Sequence, residues 1–267
     1  MKAEAPVLLR PFQAIGAGVL GLLREIGRVS KFAGGVFSAA LTPKWYISQI
    51  GSQIIRIGFY SLPVVGLAAV FIGAALALNI YTGGARFNAA QFVPNIVVLG
   101  ITRELGAVIT GLMLAGRVSA GIAAEIGAMR VTEQIDALET LSANPNRYLY
   151  APRLIAAVIT LPILVLIADI IGVAGGWLVG VGDLGFDATT YIRNTMDFLQ
   201  AQDVAAGLIK ASVFGAVIAI MGCYQGDKSE AGATGVGRAA TLSMVGAAVL
   251  VLAFNYVLST LFVGIGL

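Results

Sequence analysis

Apolar and polar positions follow two regimes along the chain. In the first 56 residues, Leu8, Leu9, Phe12, Ile15, Val19, Leu22, Leu23, Ile26, Val29 and Phe32 recur at spacings of one, three and four. Arg10, Gln13, Arg24, Arg28 and Lys31 interleave with them. This predicts a basic amphipathic helix lying on a membrane surface. Charges recur throughout it, and no compact apolar core precedes a small-residue cleavage site, so it does not read as a signal peptide. Thr42-Pro43 reads as an N-cap with proline at the first helical position, which starts a new helix at 43.

Beyond residue 56 the apolar runs become long. A membrane-spanning helix needs about 20 residues. Ile57 to Ala85 carries no charge, predicting a first span over 57–81, with Pro63 as a possible kink and Thr82-Gly83-Gly84 as its break. Phe87 to Ala124 carries Arg103, Glu104 and Arg117 and predicts a second span over 92–124. The third, 154–182, contains Asp169, and the fourth, 204–226, contains Lys210. The fifth, 239–265, lies in a run without charge. The expectation is an all-α integral membrane protein: a surface region at 1–56 and a five-helix domain at 57–267.

Composition agrees. Apolar residues make up 58% of the chain even without its 34 glycines, and charged residues 12%; mean hydropathy is +0.90. Soluble domains are about 45–50% apolar with glycine included, and about 25% charged. The balance excludes an ordinary soluble fold. The chain has no histidine and one cysteine, Cys223. That excludes histidine triads, histidine-ligated metals and internal disulfides, and Cys223 reads as a small core residue.

Basic residues set the orientation. With the N-terminus in the cytoplasm, Lys2, Arg10, Arg24, Arg28, Lys31, Lys44 and Arg56 all lie inside. Arg130, Arg147, Arg153, Lys228 and Arg238 join them in the inner connections. The outer connections hold Arg86, Arg193 and an acidic segment at 183–203. Five spans then leave the C-terminus outside.

Gly16-Ala17-Gly18-Val19-Leu20-Gly21 matches a dinucleotide fingerprint but lacks the strand that such a site needs, and reads as chance in a glycine-rich helix. No P-loop motif occurs, so any ATP driving this chain is bound by another subunit. Gly172, Gly176 and Gly180 recur every four residues, a close-packing signal between membrane helices.

Charges at bilayer depth are costly and face a cavity or a partner. Arg103 and Glu104 are adjacent, about 100° apart on a helix, and do not simply pair with each other. With Lys210 they lie at similar depth, roughly 15 Å inside the outer surface. They form either a structural ion network or a lipid headgroup site, with Leu76, Ile80 and Phe87 facing the acyl chains. Asp169 sits on another span.

The connection 125–141 reads as a short helix with acidic residues between Ile126, Met129, Ile135, Leu138 and Leu141. Asn144-Pro145 ends it. A structured helix on an inner turn is either a docking element for a soluble partner or an interfacial helix; acidic residues fit poorly against an anionic leaflet.

These residues carry a family resemblance. Arg103-Glu104-Leu105-Gly106, Ala115-Gly116-Arg117, the run Ala124 to Leu138, Asn144-Pro145 and Pro152-Arg153 resemble the MlaE/YrbE permeases, membrane subunits of ABC transporters for phospholipids. Many relatives have proline where this chain has Ala107, which puts a local kink in question. The resemblance implies a homodimer in the bacterial inner membrane with cytoplasmic P-loop ATPase subunits, a periplasmic hexameric ring of MCE-domain subunits and a small STAS-domain protein. It implies no cofactor in this chain, with ATP and Mg in the ATPase, and a role in outer-membrane lipid asymmetry. It makes 125–141 the coupling helix, with Glu125, Met129, Arg130, Glu133, Gln134, Asp136 and Leu138 in its motif. Arg103 and Glu104 fall in the periplasmic half of the second span.

Two other classes compete. A membrane-embedded enzyme without histidine needs a serine–lysine or carboxylate pair, and Ser212, two residues from Lys210, lies on a different helix face. A secondary transporter commonly shows two repeats, and five spans do not divide into equal halves.

Overall fold

A computed structural model describes residues 10–42, 46–86 and 90–265 of the chain. The predicted start at Pro43, the apolar Leu8 and Leu9, and Phe87 lie outside these residues. Among the described residues the fold is helical throughout, with five helices long and apolar enough to cross a membrane.

Helix α1 (Arg10–Ala40) leaves Val19, Leu20, Leu23 and Ile26 exposed and docks by its second half. There Val36 is buried, and the Phe32 ring lies 5.3 Å from Tyr150 and 5.5 Å from Tyr224. Glu25 accepts from the Tyr224 hydroxyl at 2.6 Å and from Lys228 at 3.0 Å. The Tyr224 hydrogen bond, reinforced by Lys228, holds the Glu25 carboxyl below its ordinary range. The amphipathic helix therefore packs across the ends of two spans.

The first span starts differently from expectation. Helix α2 (Ile47–Ile57) ends at Gly58, a short 3-10 turn follows, and α3 (Leu62–Ala85) begins with Pro63 in its first turn. A proline there loses no hydrogen bond, because that N–H has no intrahelical acceptor. The predicted break at Thr82-Gly83-Gly84 does not occur: α3 runs through it to Ala85. Helix hydrogen bonding satisfies the backbone internally, so two glycines need not interrupt a membrane helix.

The second span is one continuous run, Val93–Val131. It is built from α4 (Val93–Gly100), α5 (Gly106–Leu114) and α6 (Ala120–Val131), joined by π-helical turns at Ile101–Leu105 and Ala115–Ser119. The helix predicted over 125–141 is two pieces. Its first part is the end of α6. Glu133, at φ 56°, then redirects the chain into α7 (Gln134–Thr140). Thr132 helps end α6 by donating its hydroxyl to the Ala128 carbonyl at 2.9 Å, a local bond that competes with helix continuation.

Helix α8 (Ala151–Gly182) forms the third span, α10 (Ala201–Asp227) the fourth and α11 (Ala233–Ile265) the fifth. The acidic 183–203 connection contains a helix that periodicity did not predict, α9 (Ala188–Phe198), capped by Asp187, which accepts from the Thr190 N–H at 2.8 Å. That bond holds the Asp187 carboxyl below its ordinary range. The bundle thus has an α7 end and an α9 end.

Small residues set its closest crossing. A Cβ on Gly73 of α3 would overlap the Gly172 carbonyl, and one on Gly175 would meet the Val70 carbonyl. The predicted glycine stripe therefore packs α8 against α3, with Gly176 and Gly180 taking Val97 and the Tyr191 ring. Cys223 is buried in the core.

Candidate functional site

The π turn at 101–105 positions the site. Adding a residue to a helical turn widens it, and such bulges recur at functional positions. It arises here without proline, ending two residues before Ala107. Two close approaches frame it. A Cβ on Gly106 would strike the Asp169 carboxylate, and one on Gly207 would overlap the Thr102 carbonyl. Gly207 therefore needs glycine for space, whereas a side chain at Gly106 would first have to displace the Asp169 carboxylate.

Arg103 and Glu104 leave this turn in different directions, as their adjacency predicts. Arg103 donates to Asp203 Oδ1 at 3.0 Å. Glu104 Oε1 accepts from Lys210 Nζ at 2.7 Å and from Ser259 Oγ at 2.9 Å, and its Oε2 accepts from Asn255 Nδ2 at 3.1 Å. Lys210 spends its other donors on the Arg103 carbonyl at 3.0 Å and on Ser259 Oγ at 2.8 Å. Two bases and two acids therefore form a neutral quartet that ties the second, fourth and fifth spans together.

Sequence reading placed two bases and one acid here. It left Asp203 with the outer acidic segment and did not single out Asn255 or Ser259. Asp203 was recoverable: it lies seven residues before Lys210, two turns along one helix face. Asn255 and Ser259 are four apart on α11, again one face, but nothing in that uncharged run marks it.

Burial divides the quartet. The Lys210 side chain is 1% exposed and its three donors are occupied. Asp203 is also buried. Glu104 is 38% exposed and Arg103 30%, so an acid and a base present edges outside the protomer. Leu76 and Ile80 are half-buried in an apolar cluster with Val93, Val97, Ile101 and Tyr191, on the α9 side of the turn. Ser212 donates to the Leu208 carbonyl, whereas Ser259 meets Lys210. With Glu104 also on Lys210, the ammonium remains the carboxylate's ion partner and is poorly suited to act as a base.

The α7 end holds the second set of predicted residues. Glu125 faces inward and bridges Arg56 at 3.0 Å and Arg153 at 3.2 Å. Met129 and Leu138 pack on the core. Arg130 braces the turn through Asp136 at 2.8 Å. Glu133, Gln134 and Asp136 are exposed. Leu141, outside the predicted set, is 78% exposed at the tip. The outward surface of this end is thus a short acidic loop with an apolar point.

Comparison with known proteins agrees with this architecture. The model of the MlaE permease family matches residues 50–261. A probable ABC transporter permease protein of Rickettsia bellii is 50% identical over 256 residues, covering 96% of this chain and 99% of that protein. A probable ABC transporter permease of Synechocystis is 37% identical, covering 78% and 80%. The intermembrane phospholipid transport system permease protein MlaE of Haemophilus influenzae is 31% identical, covering 95% and 97%. With five apolar spans and a family match over most of its length, this multi-pass membrane protein belongs to the MlaE permease family.

Proposed function

We propose that this permease is the membrane subunit of an ATP-driven transporter that moves phospholipids between the inner and outer membranes and so maintains outer-membrane lipid asymmetry. The Haemophilus relative, a phospholipid transport permease by name, supports the substrate class. The observation that carries the reading is the neutral quartet with one basic and one acidic edge left accessible, at Arg103 and Glu104. A phosphodiester with an ammonium matches that pair in charge, and bidentate guanidinium contacts suit phosphate. Lys210 and Asp203 are positioning residues that hold the two edges. Leu76 and Ile80, with Phe87 beyond the described residues, are the candidates for acyl-chain contact.

In this reading two copies pair, and their quartets line a shared cavity. A P-loop ATPase docks at each α7 end through Glu133, Gln134, Asp136 and Leu141, while Glu125, Met129, Arg130 and Leu138 transmit movement into the spans. ATP and Mg stay in that ATPase. An MCE-domain hexameric ring covers the α9 end, and a STAS-domain protein binds the ATPase. The lysine and arginine bias supports an inner-membrane orientation with the α7 end and N-terminus cytoplasmic and the C-terminus periplasmic. Transport follows when ATP binding makes the affinity for lipid differ between two shapes of the dimer.

The test is to purify complexes with Arg103→Ala and Glu104→Ala and measure bound phospholipid, dimer yield and ATP-driven lipid transfer. Loss of lipid and of transfer per folded dimer is expected, with a lowered dimer yield for Glu104→Ala, which leaves Lys210 buried without its counter-ion. Normal lipid content and transfer in both would overturn the headgroup assignment.

A further inference from the structure

Three span ends meet near the α7 end. Arg56 is the last charged residue before the run that opens the first span, Glu125 follows the apolar end of the second, and Arg153 precedes the uncharged start of the third. A cavity of about 210 Å³ lies among them, between α2, the end of α6 and the start of α8, and its surface is formed largely by polar atoms. The α2 wall is legible in sequence: Gln49, Ser52, Gln53 and Arg56 recur at spacings of three and four, which puts them on one helix face. Tyr148 also lines the cavity. Its ring lies 5.1 Å from that of Tyr46, and its hydroxyl accepts from Gln49 Nε2 at 3.4 Å. The site is distinct from the quartet: Glu125 stands 22 residues beyond Arg103 on the second span, about 33 Å along the helix.

The charges of this wall do not balance. Arg56 and Arg153 both bridge one oxygen, Glu125 Oε1, at 3.0 and 3.2 Å. Two bases against one acid leave one positive charge over. Burial decides which base depends on Glu125. The Arg153 side chain is 5% exposed, its Nη1 donates to the Leu149 carbonyl at 2.7 Å, and its Nε has no acceptor among the described residues. A buried charge of that kind is strongly destabilising without its counter-ion. Arg56 lines the cavity and is 57% exposed, so the surplus charge lies on the accessible guanidinium. We propose that this cavity binds the phosphate of an anionic phospholipid from the leaflet at the α7 end, with Arg56 as its counter-ion.

Charge selects the headgroup. A phosphodiester carries one negative charge and neutralises the surplus. A zwitterionic headgroup brings its own ammonium and leaves the surplus in place, whereas the quartet, with equal numbers of bases and acids, matches a zwitterion. Guanidinium groups hold phosphate through paired N–H donors. The Tyr148 hydroxyl, which accepts from Gln49, keeps its own proton to donate. The surroundings select a lipid over a free anion. Ile55, Phe59 and Tyr60, chain neighbours of Arg56, are all exposed, as is Tyr46. Aromatic side chains gather at the membrane–water interface, so the cavity lies at headgroup depth with apolar side chains beside it for the acyl chains. Basic pockets between spans hold anionic headgroups in this way.

The full chain in detergent is titrated with phosphatidylglycerol and with phosphatidylcholine of the same acyl chains, and bound lipids are counted by native mass spectrometry. One saturable phosphatidylglycerol site per protomer is expected, with about fivefold preference over phosphatidylcholine, the difference that one part-exposed ion pair supplies. Arg56→Gln folds, because Arg153 keeps Glu125, and removes the preference. Ser52→Trp fills the cavity from an exposed position with every charge intact and abolishes the saturable site. Arg24→Gln deletes an exposed base of α1 and leaves the preference unchanged, which separates the cavity from general attraction to anionic lipid. Lipid held at the quartet is a separate count, lost in Arg103→Ala and kept in Arg56→Gln, so the two sites fail independently. Equal affinity for the two lipids, a preference that survives Arg56→Gln or falls as far in Arg24→Gln, a saturable site that persists in Ser52→Trp, or displacement of phosphatidylglycerol by equimolar inorganic phosphate overturns the proposal.

Discussion

Lys210→Met is the most informative single change in the quartet. It keeps the unbranched apolar stem, one heavy atom shorter, and removes the ammonium that donates to Glu104, the Arg103 carbonyl and Ser259. Breaking a buried ion pair from one side costs about 3–5 kcal/mol, because the surviving charge is left without its counter-ion. Two features place the loss near the lower end. Glu104 keeps Asn255 and Ser259 as donors, and its 38% exposure relieves part of the desolvation. We therefore expect about 3 kcal/mol, a large fraction of the stability of an ordinary domain. Glu104→Gln alone leaves the Lys210 ammonium buried at 1% exposure and is expected to cost as much or more. The Lys210→Met, Glu104→Gln double variant removes both charges and is expected to recover part of the loss. The assay is reversible denaturation in mixed micelles, read by circular dichroism, over the four corners of the cycle. If Lys210→Met costs the same in the Glu104→Gln background as in the wild type, the two charges are uncoupled and the quartet is not a unit.

Three further outcomes follow from the geometry. Replacing Glu133 and Glu139 by lysine inverts the exposed charge of the α7 end without touching the Arg130–Asp136 brace; co-purification with the ATPase is expected to fall while circular dichroism stays unchanged, and undiminished co-purification would refute docking there. Gly73→Ala puts a Cβ into the Gly172 carbonyl and is expected to cost about 1–3 kcal/mol, the range for overpacking, whereas Gly83→Ala, with open space around it, should cost nothing measurable in the same unfolding assay. The Glu25 carboxyl is depressed by Tyr224 and Lys228, so its contribution to holding α1 is present above the ordinary carboxylate value of 4.5 and is lost as pH falls through the lower folded value; hydrogen exchange across 20–32 should rise at acid pH, and Glu25→Gln should remove that dependence.

The legibility of this protein follows the range of the forces involved. Hydrophobicity over some 20 residues is a local property, so all five spans and the surface-helix period could be read along the chain. So could the small-residue stripe of α8, because spacing alone places Gly172, Gly176 and Gly180 on one face. Boundaries were harder. The break expected at Gly83-Gly84 is absent, because helix hydrogen bonding persists through glycine in an apolar span; the break at Glu133 rests on one left-handed residue that no composition marks. Helix α9 was missed because its polar character masked a helix set by the Asp187 cap.

The site shows the same division. Sequence alone singled out Arg103, Glu104, Lys210 and Asp169, because a charge in an apolar run is conspicuous without knowing its surroundings. It also determined that the chain carries no nucleotide-binding loop and no histidine chemistry. Only tertiary structure decided the pairing. It brought Asp203 to Arg103, 100 residues apart in sequence, and Ser259 to Glu104, 155 apart. Among the described residues it gave the buried Asp169 carboxylate no hydrogen-bond partner and packed it against Gly106. Electrostatic pairing acts across a few ångströms of space, while separation along the chain says nothing about that distance until helices are packed. A lone acid in a span reads the same whether it meets a lysine or none.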